Sequence, residues 1–154
     1  DPLAVLKDCA ARLKPGGRLL VNVPNFDSWQ ARFGGAAWLH LDPPRHLFHF
    51  TPRSLETALG MAGLEVARVG YVSFEHDPFG WVQTVLNRFV GDPQLLTRYL
   101  MGLERFGPRV AISALFGAVF AVPSIILAMA SWALGTGALM EMTAVLPSET
   151  SRAA

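Results

Sequence analysis

The sequence predicts an α/β fold, and three features support that class. Residues 2–13 place apolar side chains at helical spacing, a Pro-Gly-Gly turn follows, and residues 18–23 form a short apolar run. A helix, a turn and a buried strand in this order are the second half of a βαβ unit, whose natural setting is a parallel sheet. Two further segments, residues 64–73 and 138–145, also have the pattern of strands. We expect these three strands to lie in one sheet.

The composition divides the chain into two parts. Hydrophobic residues make up 51% and charged residues 16%, and no charged residue lies between Arg109 and Glu141. The net charge of +1 gives no attraction to nucleic acid, so a nucleic-acid partner is not expected. The single cysteine excludes a disulfide framework. Because the chain begins at Asp1 without a signal-peptide pattern, we expect a cytoplasmic fragment or processed product.

The first helix and strand have recognisable ends. Asp1 suits the N-cap and Pro2 the first helical position, and Pro15 with the two following glycines ends the helix. The strand at residues 18–23 is apolar at nearly every position, which predicts burial on both faces. Pro24 ends it.

Residues 25–50 lose this periodicity and are rich in aromatic residues, histidines and prolines. A long loop of this kind within a domain is usually functional. The next helix begins at Thr51 and Pro52 and ends at Gly63, which suits the C′ position. The strand at residues 64–73 follows, and Asp77 begins another helix.

The uncharged segment at residues 110–140, which contains the insertion at residues 110–134, exceeds the about 20 residues that cross a bilayer. Pro123 divides it into two pieces, each too short to span, and the chain must return to the sheet. We therefore predict a helical hairpin that enters one leaflet, with Arg98, Arg105 and Arg109 near anionic head groups. The alternatives are two buried core helices or a dimer interface, because small residues in the segment permit close packing.

Several segments resemble one enzyme family. Leu-Lys-Pro-Gly-Gly-Arg-Leu-Leu at residues 13–20 resembles the turn into the fifth strand of class I S-adenosylmethionine-dependent methyltransferases. Residues 41–55, 62–66 and 75–80 are similar to a bacterial subgroup related to ubiquinone-pathway O-methyltransferases. Residues 135–145 resemble the strand that closes such sheets. The resemblance covers most of the chain and is weakest over residues 95–134.

The resemblance implies a seven-stranded sheet in which the seventh strand runs antiparallel between the fifth and sixth. Residues 18–23, 64–73 and 138–145 correspond to strands five, six and seven. Strands one to four would be absent, together with the glycine-rich loop and the acidic residue that hold S-adenosylmethionine. The chain is therefore expected to be the C-terminal half of the domain, to need the missing N-terminal half as its partner, and to be inactive alone. No cofactor-binding residue is predicted in it.

The same resemblance suggests four segments. Residues 1–94 are expected to be the C-terminal half of the methyltransferase domain, and residues 95–134 the hydrophobic insertion. Residues 135–146 would close the sheet, and residues 147–154 would be a disordered tail.

Candidate site residues follow from the sheet, because substrate groups in open α/β sheets lie beyond the carboxyl ends of strands. His46 or His49 could act as general base near neutral pH, with Asp42 orienting it. Other polar and aromatic side chains at the strand ends are predicted to bind substrate. They are Asn25, Phe26, Trp38, Arg45, Glu75 and His76.

Alternatives remain for this loop. The histidines could instead hydrogen-bond backbone groups and cap the following helix. A metal site built from His40, Asp42, His46 and His49 matches no closed zinc pattern, so no metal is predicted. The predicted function is methyl transfer to an oxygen atom of an apolar or lipid-linked small molecule by a membrane-associated cytoplasmic protein. The alternative is a non-catalytic membrane-associated binding module derived from a methyltransferase.

Overall fold

The structure is a computed structural model that describes residues 1–148. The predicted disordered tail lies outside these residues from 149 onward. Two 3₁₀ turns, Gly35–Ala37 and Leu39–Leu41, interrupt the predicted loop. The other elements are α1 (Pro2–Arg12), β1 (Arg18–Pro24), α2 (Trp29–Gly34), α3 (Pro52–Met61), β2 (Glu65–Gly70), α4 (Asp77–Phe89), α5 (Leu95–Leu100), α6 (Pro108–Ala133) and β3 (Leu139–Val145).

The caps that the sequence predicts are formed. Asp1 Oδ1 accepts a hydrogen bond of 2.9 Å from the backbone N–H of Leu3. Thr51 and Ser54 exchange side-chain to backbone hydrogen bonds of 3.1 and 2.9 Å, which is a capping box. Gly63 follows α3 with φ +80°, a left-handed conformation that favours glycine. These local signals fix where α1 begins and where α3 begins and ends.

The three strands form one sheet in the order β1-β3-β2, and β3 is antiparallel to both neighbours. Val21 is opposite Met142, and Val66 is opposite Ala144. The expected place of the last strand between the other two is confirmed for the described residues. The first helix and strand alone predict that neighbouring strands are parallel. Within residues 1–148 no two neighbouring strands of the sheet are parallel, because β3 lies between β1 and β2, which run in the same direction.

The sheet is covered on one face. Leu6 of α1 and Leu55 and Leu59 of α3 pack in one cluster with Met140 and Met142 of β3, and all five are buried. Side chains on successive strand positions point to opposite faces. Leu20 consequently points away from this cluster and is 59% exposed. The predicted burial of β1 on both faces is therefore wrong for residues 1–148, because α1 and α3 cover one face only.

The last three helices form a second layer. Val82 and Leu86 of α4 and Leu96 of α5 are buried against Phe116 and Phe120 of α6. These contacts join α4, α5 and α6 into a helical unit with its own apolar cluster.

The predicted hairpin is wrong, since α6 is one continuous helix of 26 residues with Pro123 inside it. A proline removes one backbone donor and strains one turn, at a cost of about 3 kcal/mol. Here the packing of α6 against α4 and α5 offsets that cost, and Ser124 Oγ donates a 2.7 Å hydrogen bond to the Ala121 carbonyl. By length and composition α6 could cross a membrane, and only 17% of its most apolar window is buried.

One buried carboxylate joins the helical unit to the sheet. Asp77 Oδ2 accepts hydrogen bonds from Trp132 Nε1 at 2.6 Å and from the Ala138 backbone N–H at 3.1 Å. Its backbone carbonyl accepts from Gln30 Nε2 at 3.2 Å. A Cβ on Gly137 would lie 2.3 Å from the Tyr71 carbonyl oxygen, so only glycine fits beside this junction. Asp77 thus connects the start of α4 to the end of α6 and the start of β3.

Burial raises the pKa of Asp77, although hydrogen bonds from Trp132 and the β3 backbone partly oppose the shift. A raised folded-state pKa contributes stability that is complete below the unfolded value and is lost as the pH rises through the folded value. As the pH rises from the ordinary carboxyl pKa of about 4 to neutral pH, we expect the free energy of unfolding to fall less for Asp77→Asn than for the unaltered chain, because asparagine does not ionise. Urea unfolding midpoints across this range measure the difference, and Asp8→Asn on α1 is the control. Parallel pH profiles for the unaltered chain and Asp77→Asn would contradict the expectation.

Candidate functional site

The segment between β1 and α3 is fastened to α4 by side-chain amides and a hydroxyl. Thr84 Oγ1 accepts from the Leu39 backbone N–H at 3.2 Å, and Asn87 Nδ2 donates to the Ala37 carbonyl at 3.0 Å. Gln83 Nε2 donates to Asn87 Oδ1 at 2.7 Å. The sequence predicts the apolar side of α4 but not that its polar side binds this segment. Gln83, Thr84 and Asn87 lie on one side of the helix, and this helical spacing is the signal that could have indicated a polar contact.

An aromatic cluster forms the inner part of this segment. Trp38 is buried, and its Nε1 donates to Gln30 Oε1 at 3.1 Å. The ring centroid of Phe26 lies 6.1 Å from that of Trp38 and 5.5 Å from that of His49. His49 Nε2 is buried and has no hydrogen-bond partner among residues 1–148. Trp38, Phe26 and His49 therefore form one aromatic cluster, in which Phe26 is half exposed.

A separate cavity of about 280 Å³ collects the polar residues of the segment, and we call it the histidine cavity. Its wall comes from the chain segments that follow β1 and β2 and from α4 and α5. Its wall consists of Leu39, His40, Asp42, Arg45, His46, His76, Phe79, Gln94, Thr97 and Met101.

Hydrogen bonds within the wall fix its polar groups. Asp42 Oδ2 forms an ion pair of 2.6 Å with Arg45 Nε, and Asp42 Oδ1 accepts from Gln94 Nε2 at 3.2 Å. His46 Nδ1 lies 2.9 Å from the His40 carbonyl oxygen. Since a carbonyl only accepts, His46 carries its proton on Nδ1 in this contact. Its Nε2 is then the nitrogen that can take a proton from a ligand.

The backbone of this wall is strained at two places. Asp42 has φ +30° and Gln94 has φ +59°, and within residues 1–148 they are the non-glycine residues with positive φ. Their side chains bond to each other across the cavity wall. The Asp42 carbonyl also accepts from the backbone N–H groups of Arg45 and His46 at 3.0 and 3.2 Å. Strained residues held by surrounding bonds occur preferentially at functional sites.

His40 is the most deeply buried histidine of the cavity, with 8% of its surface exposed. Desolvation lowers its pKa to about 4, and the nearby His46 and His76 add to the shift. His40 is therefore neutral at physiological pH. Its Nε2 is buried without a partner among residues 1–148. From the sequence, His40 is a candidate only as a metal ligand, because nothing local to it signals burial.

The structure brings some of the predicted site residues together and separates others. Asp42, Arg45, His46 and His76 all line the histidine cavity. The Asp42 carboxylate bonds Arg45 and Gln94. The group that orients His46 is instead a backbone carbonyl.

The remaining predicted residues lie elsewhere. Asn25 is buried, and its side chain donates to the Gly137 carbonyl and accepts from the Asp27 backbone N–H, both at 3.0 Å. Glu75 is exposed beside His76. Within the described part of the chain, no three histidine, cysteine, aspartate or glutamate side chains are placed to hold a metal ion together.

Comparison with known protein families supports the predicted methyltransferase resemblance for the first part of the chain. Residues 1–69 match the model of a family described as a methyltransferase domain. The predicted resemblance to a methyltransferase domain is confirmed for residues 1–69. The bacterial subgroup, and the resemblance of the residues after 69, remain predictions. No protein with a curated description matches the chain.

One solved structure shares a general likeness. It is described as a proposed sarcosine dimethylglycine methyltransferase from Galdieria sulphuraria, and the identity is 15% with a TM-score of 0.45. The match covers 96% of this chain and 48% of the other, so the chain spans about half the length of that protein. A likeness at this level bears on neither substrate nor mechanism.

Proposed function

We propose that this chain supplies the acceptor side of an S-adenosylmethionine-dependent methyltransferase, with the histidine cavity as the acceptor site. The match of residues 1–69 to a methyltransferase domain supports the class of reaction. The observation that carries the site is His46, whose protonated Nδ1 faces the His40 carbonyl and whose Nε2 is thereby free to act as a base. Oxygen is the proposed methyl-accepting atom.

We propose that the described residues do not themselves hold the methyl donor. Within residues 1–148, no strand is followed by a glycine-rich loop and an acidic residue that could hold a nucleoside. The residue after β1 is Asn25, and both groups of its amide are bonded within the chain. We therefore propose that other parts of the complete protein hold S-adenosylmethionine.

The contribution of this chain is positioning and proton transfer. An acceptor hydroxyl loses its proton when its oxygen is methylated, and His46 Nε2 is placed to accept that proton. Neutral His40 adds no competing positive charge at physiological pH. The ion pair between Arg45 and Asp42 holds the backbone turn that carries His46. Holding the acceptor in one orientation supplies the rest of the effect.

The substitution His46→Gln tests this proposal. Methyl-labelled S-adenosylmethionine and a lipid extract of the source cells are incubated with the longest natural form of the protein, and label entering the lipid fraction is counted. We expect His46→Gln to lower the rate on the order of 100-fold because general-base catalysis is lost. Arg53→Gln on α3, away from the cavity, is expected to leave the rate unchanged.

Two outcomes would contradict the assignment. An equal loss in His49→Gln with no loss in His46→Gln would place the base in the aromatic cluster. No labelling by the unaltered protein would favour the alternative function, a non-catalytic membrane-associated binding module.

We also propose that the protein acts at the cytoplasmic face of a membrane on an apolar or lipid-linked acceptor. The outer side of α6 carries a stripe of apolar side chains at alternating spacings of three and four, each between 57% and 74% exposed. We call this the α6 stripe. It consists of Ile112, Leu115, Val119, Val122, Ile126 and Met129.

The charges near the N-terminal end of α6 suit anionic lipid. Arg109 is 82% exposed in its side chain and lies 3.5 Å from Asp92, and Arg105 lies in the same region. Arg98, the third arginine predicted near head groups, forms ion pairs with Asp92 at 2.9 Å and with Glu104 at 3.4 Å. Arg105 and Arg109 are therefore the proposed lipid contacts, each contributing about 1 kcal/mol.

A further inference from the structure

A second cavity adjoins the histidine cavity. It has a volume of about 380 Å³ and lies between α4, α5 and α6. Val82, Leu96, Leu100, Gly117 and Ala121 line it, and the hydroxyl of Ser124 in its wall is bonded to a backbone carbonyl. This apolar cavity offers contacts to a hydrocarbon chain and almost none to a polar group.

Two elements connect the two cavities. Phe79 on α4 lines both of them. On α5, Leu96 and Leu100 line the apolar cavity, and the residues that follow each of them, Thr97 and Met101, line the histidine cavity. The cavities are therefore neighbours that share a wall, one polar and one apolar.

The polar end carries one guanidinium, Arg45, which bonds Asp42 through Nε and whose two terminal nitrogens form no hydrogen bond within residues 1–148. Arg45 and three histidines line it, whereas its only carboxylate within residues 1–148, Asp42, is already bonded to Arg45 and Gln94. His40 Nε2 is buried in this wall without a partner among the described residues. An unpartnered buried nitrogen costs free energy unless a ligand or water satisfies it. Arg45 thus suits a ligand group rich in acceptor oxygens, and a ligand hydroxyl could satisfy His40 Nε2 in either tautomer.

We propose that the two cavities bind one amphiphile, with an anionic oxygen group at Arg45 and the acceptor hydroxyl at His46 in the histidine cavity, and a hydrocarbon tail in the apolar cavity. This inference rests on the proposed function and names the substrate class for that same site. The guanidinium of Arg45 can recognise carboxylate or phosphate oxygens through charge-assisted hydrogen bonds. The apolar cavity contributes affinity in proportion to the methylene groups buried, about fourfold for each one.

Calorimetric titration of the chain with dodecanoate, below its micelle-forming concentration, tests the inference without any methyl donor. Dodecanoate is expected to bind, and acetate, which lacks the tail, is expected not to bind detectably. Dodecanol, which lacks the anion, should bind at least about tenfold more weakly, because a charge-assisted hydrogen bond is lost. Dodecyl phosphate in the same titration decides whether the head group is a carboxylate or a phosphate.

A matched pair of variants on α6 tests the position of the tail. Ala121→Phe fills the apolar cavity and is expected to weaken dodecanoate binding at least about tenfold. Ala118→Phe makes the same change at an exposed position outside the cavity wall and should leave the affinity unchanged.

A second pair tests the head group. Arg45→Met should abolish the preference for dodecanoate over dodecanol, whereas Arg53→Met on α3 should retain it. Equal affinities for dodecanoate and dodecanol in the unaltered chain, or equal effects of the two phenylalanine variants, would overturn the inference.

The outcomes separate this inference from the proposed function. If dodecanoate binds as expected but His46→Gln does not change lipid labelling, the amphiphile site stands and the role of His46 is wrong. If His46→Gln lowers labelling but no dodecanoate binds, the catalytic proposal stands and this inference is refuted.

Discussion

The double variant Val119→Glu/Ile126→Glu is expected to stay in the soluble fraction when the chain is mixed with phospholipid vesicles, while the unaltered chain floats with them. Both residues lie in the α6 stripe. Burying one aliphatic side chain contributes about 1.5–3 kcal/mol, so the six residues of the stripe together contribute on the order of 10 kcal/mol. Two glutamates remove part of this contribution and add the cost of desolvating charge. The partition coefficient should fall more than about 1000-fold.

Flotation with vesicles of phosphatidylcholine containing a minor fraction of phosphatidylglycerol measures this effect. The control is Val5→Glu/Met61→Glu, which changes the charge equally at two apolar residues that are 61% and 62% exposed on α1 and α3. This control should float like the unaltered chain.

Different results would assign the α6 stripe another role. If the unaltered chain does not float and the stripe variant changes its mass in solution, the stripe is a contact between copies. Equal flotation of the stripe variant and the control would show that binding does not depend on the stripe. Vesicles without phosphatidylglycerol isolate the smaller contribution of Arg105 and Arg109.

Replacing Asp77 by alanine is expected to lower the free energy of unfolding by about 3 kcal/mol. The change leaves Trp132 Nε1 and the Ala138 backbone N–H without their acceptor, and each unsatisfied buried donor costs about 1–3 kcal/mol. Urea denaturation followed by circular dichroism measures the loss. Asp8→Ala on the exposed side of α1 is the control and should change the free energy of unfolding by less than about 0.5 kcal/mol.

Asp77→Asn separates the loss of the acceptor from the loss of the charge. The amide oxygen of asparagine can still accept from Trp132 and Ala138, so most of the stability should return. Unfolding free energies that are the same for Asp77→Ala and the unaltered chain would show that the helical unit and the sheet are held together by other contacts.

The local features of the fold could be predicted because their causes are local. The cap at Asp1, the capping box at Thr51 and the glycine at position 63 depend on backbone angles and on bonds over a few residues. The three strands follow from short apolar runs. At the site, Asp42, Arg45, His46 and His76 were found because ligands bind beyond the ends of strands.

Features that depend on distant contacts were missed or predicted wrongly. His40 shares a cavity with His76, and nothing near position 40 in the chain signals this. A proline in an apolar run usually indicates a break, yet α6 continues through Pro123 because its packing against the neighbouring helices offsets the local cost. The sequence alone therefore could not distinguish a hairpin from one helix.

By itself the sequence determined the class of fold, the ends of the first helices and the segment that carries the polar site, since each depends on spacing and composition over short stretches. Only the tertiary structure decided that Asp77 joins three elements, that His40 and His76 line one cavity, and that a polar and an apolar cavity share Phe79. Each of these brings together groups on different elements of the chain, and such contacts form only when the packing of the whole chain brings those elements side by side.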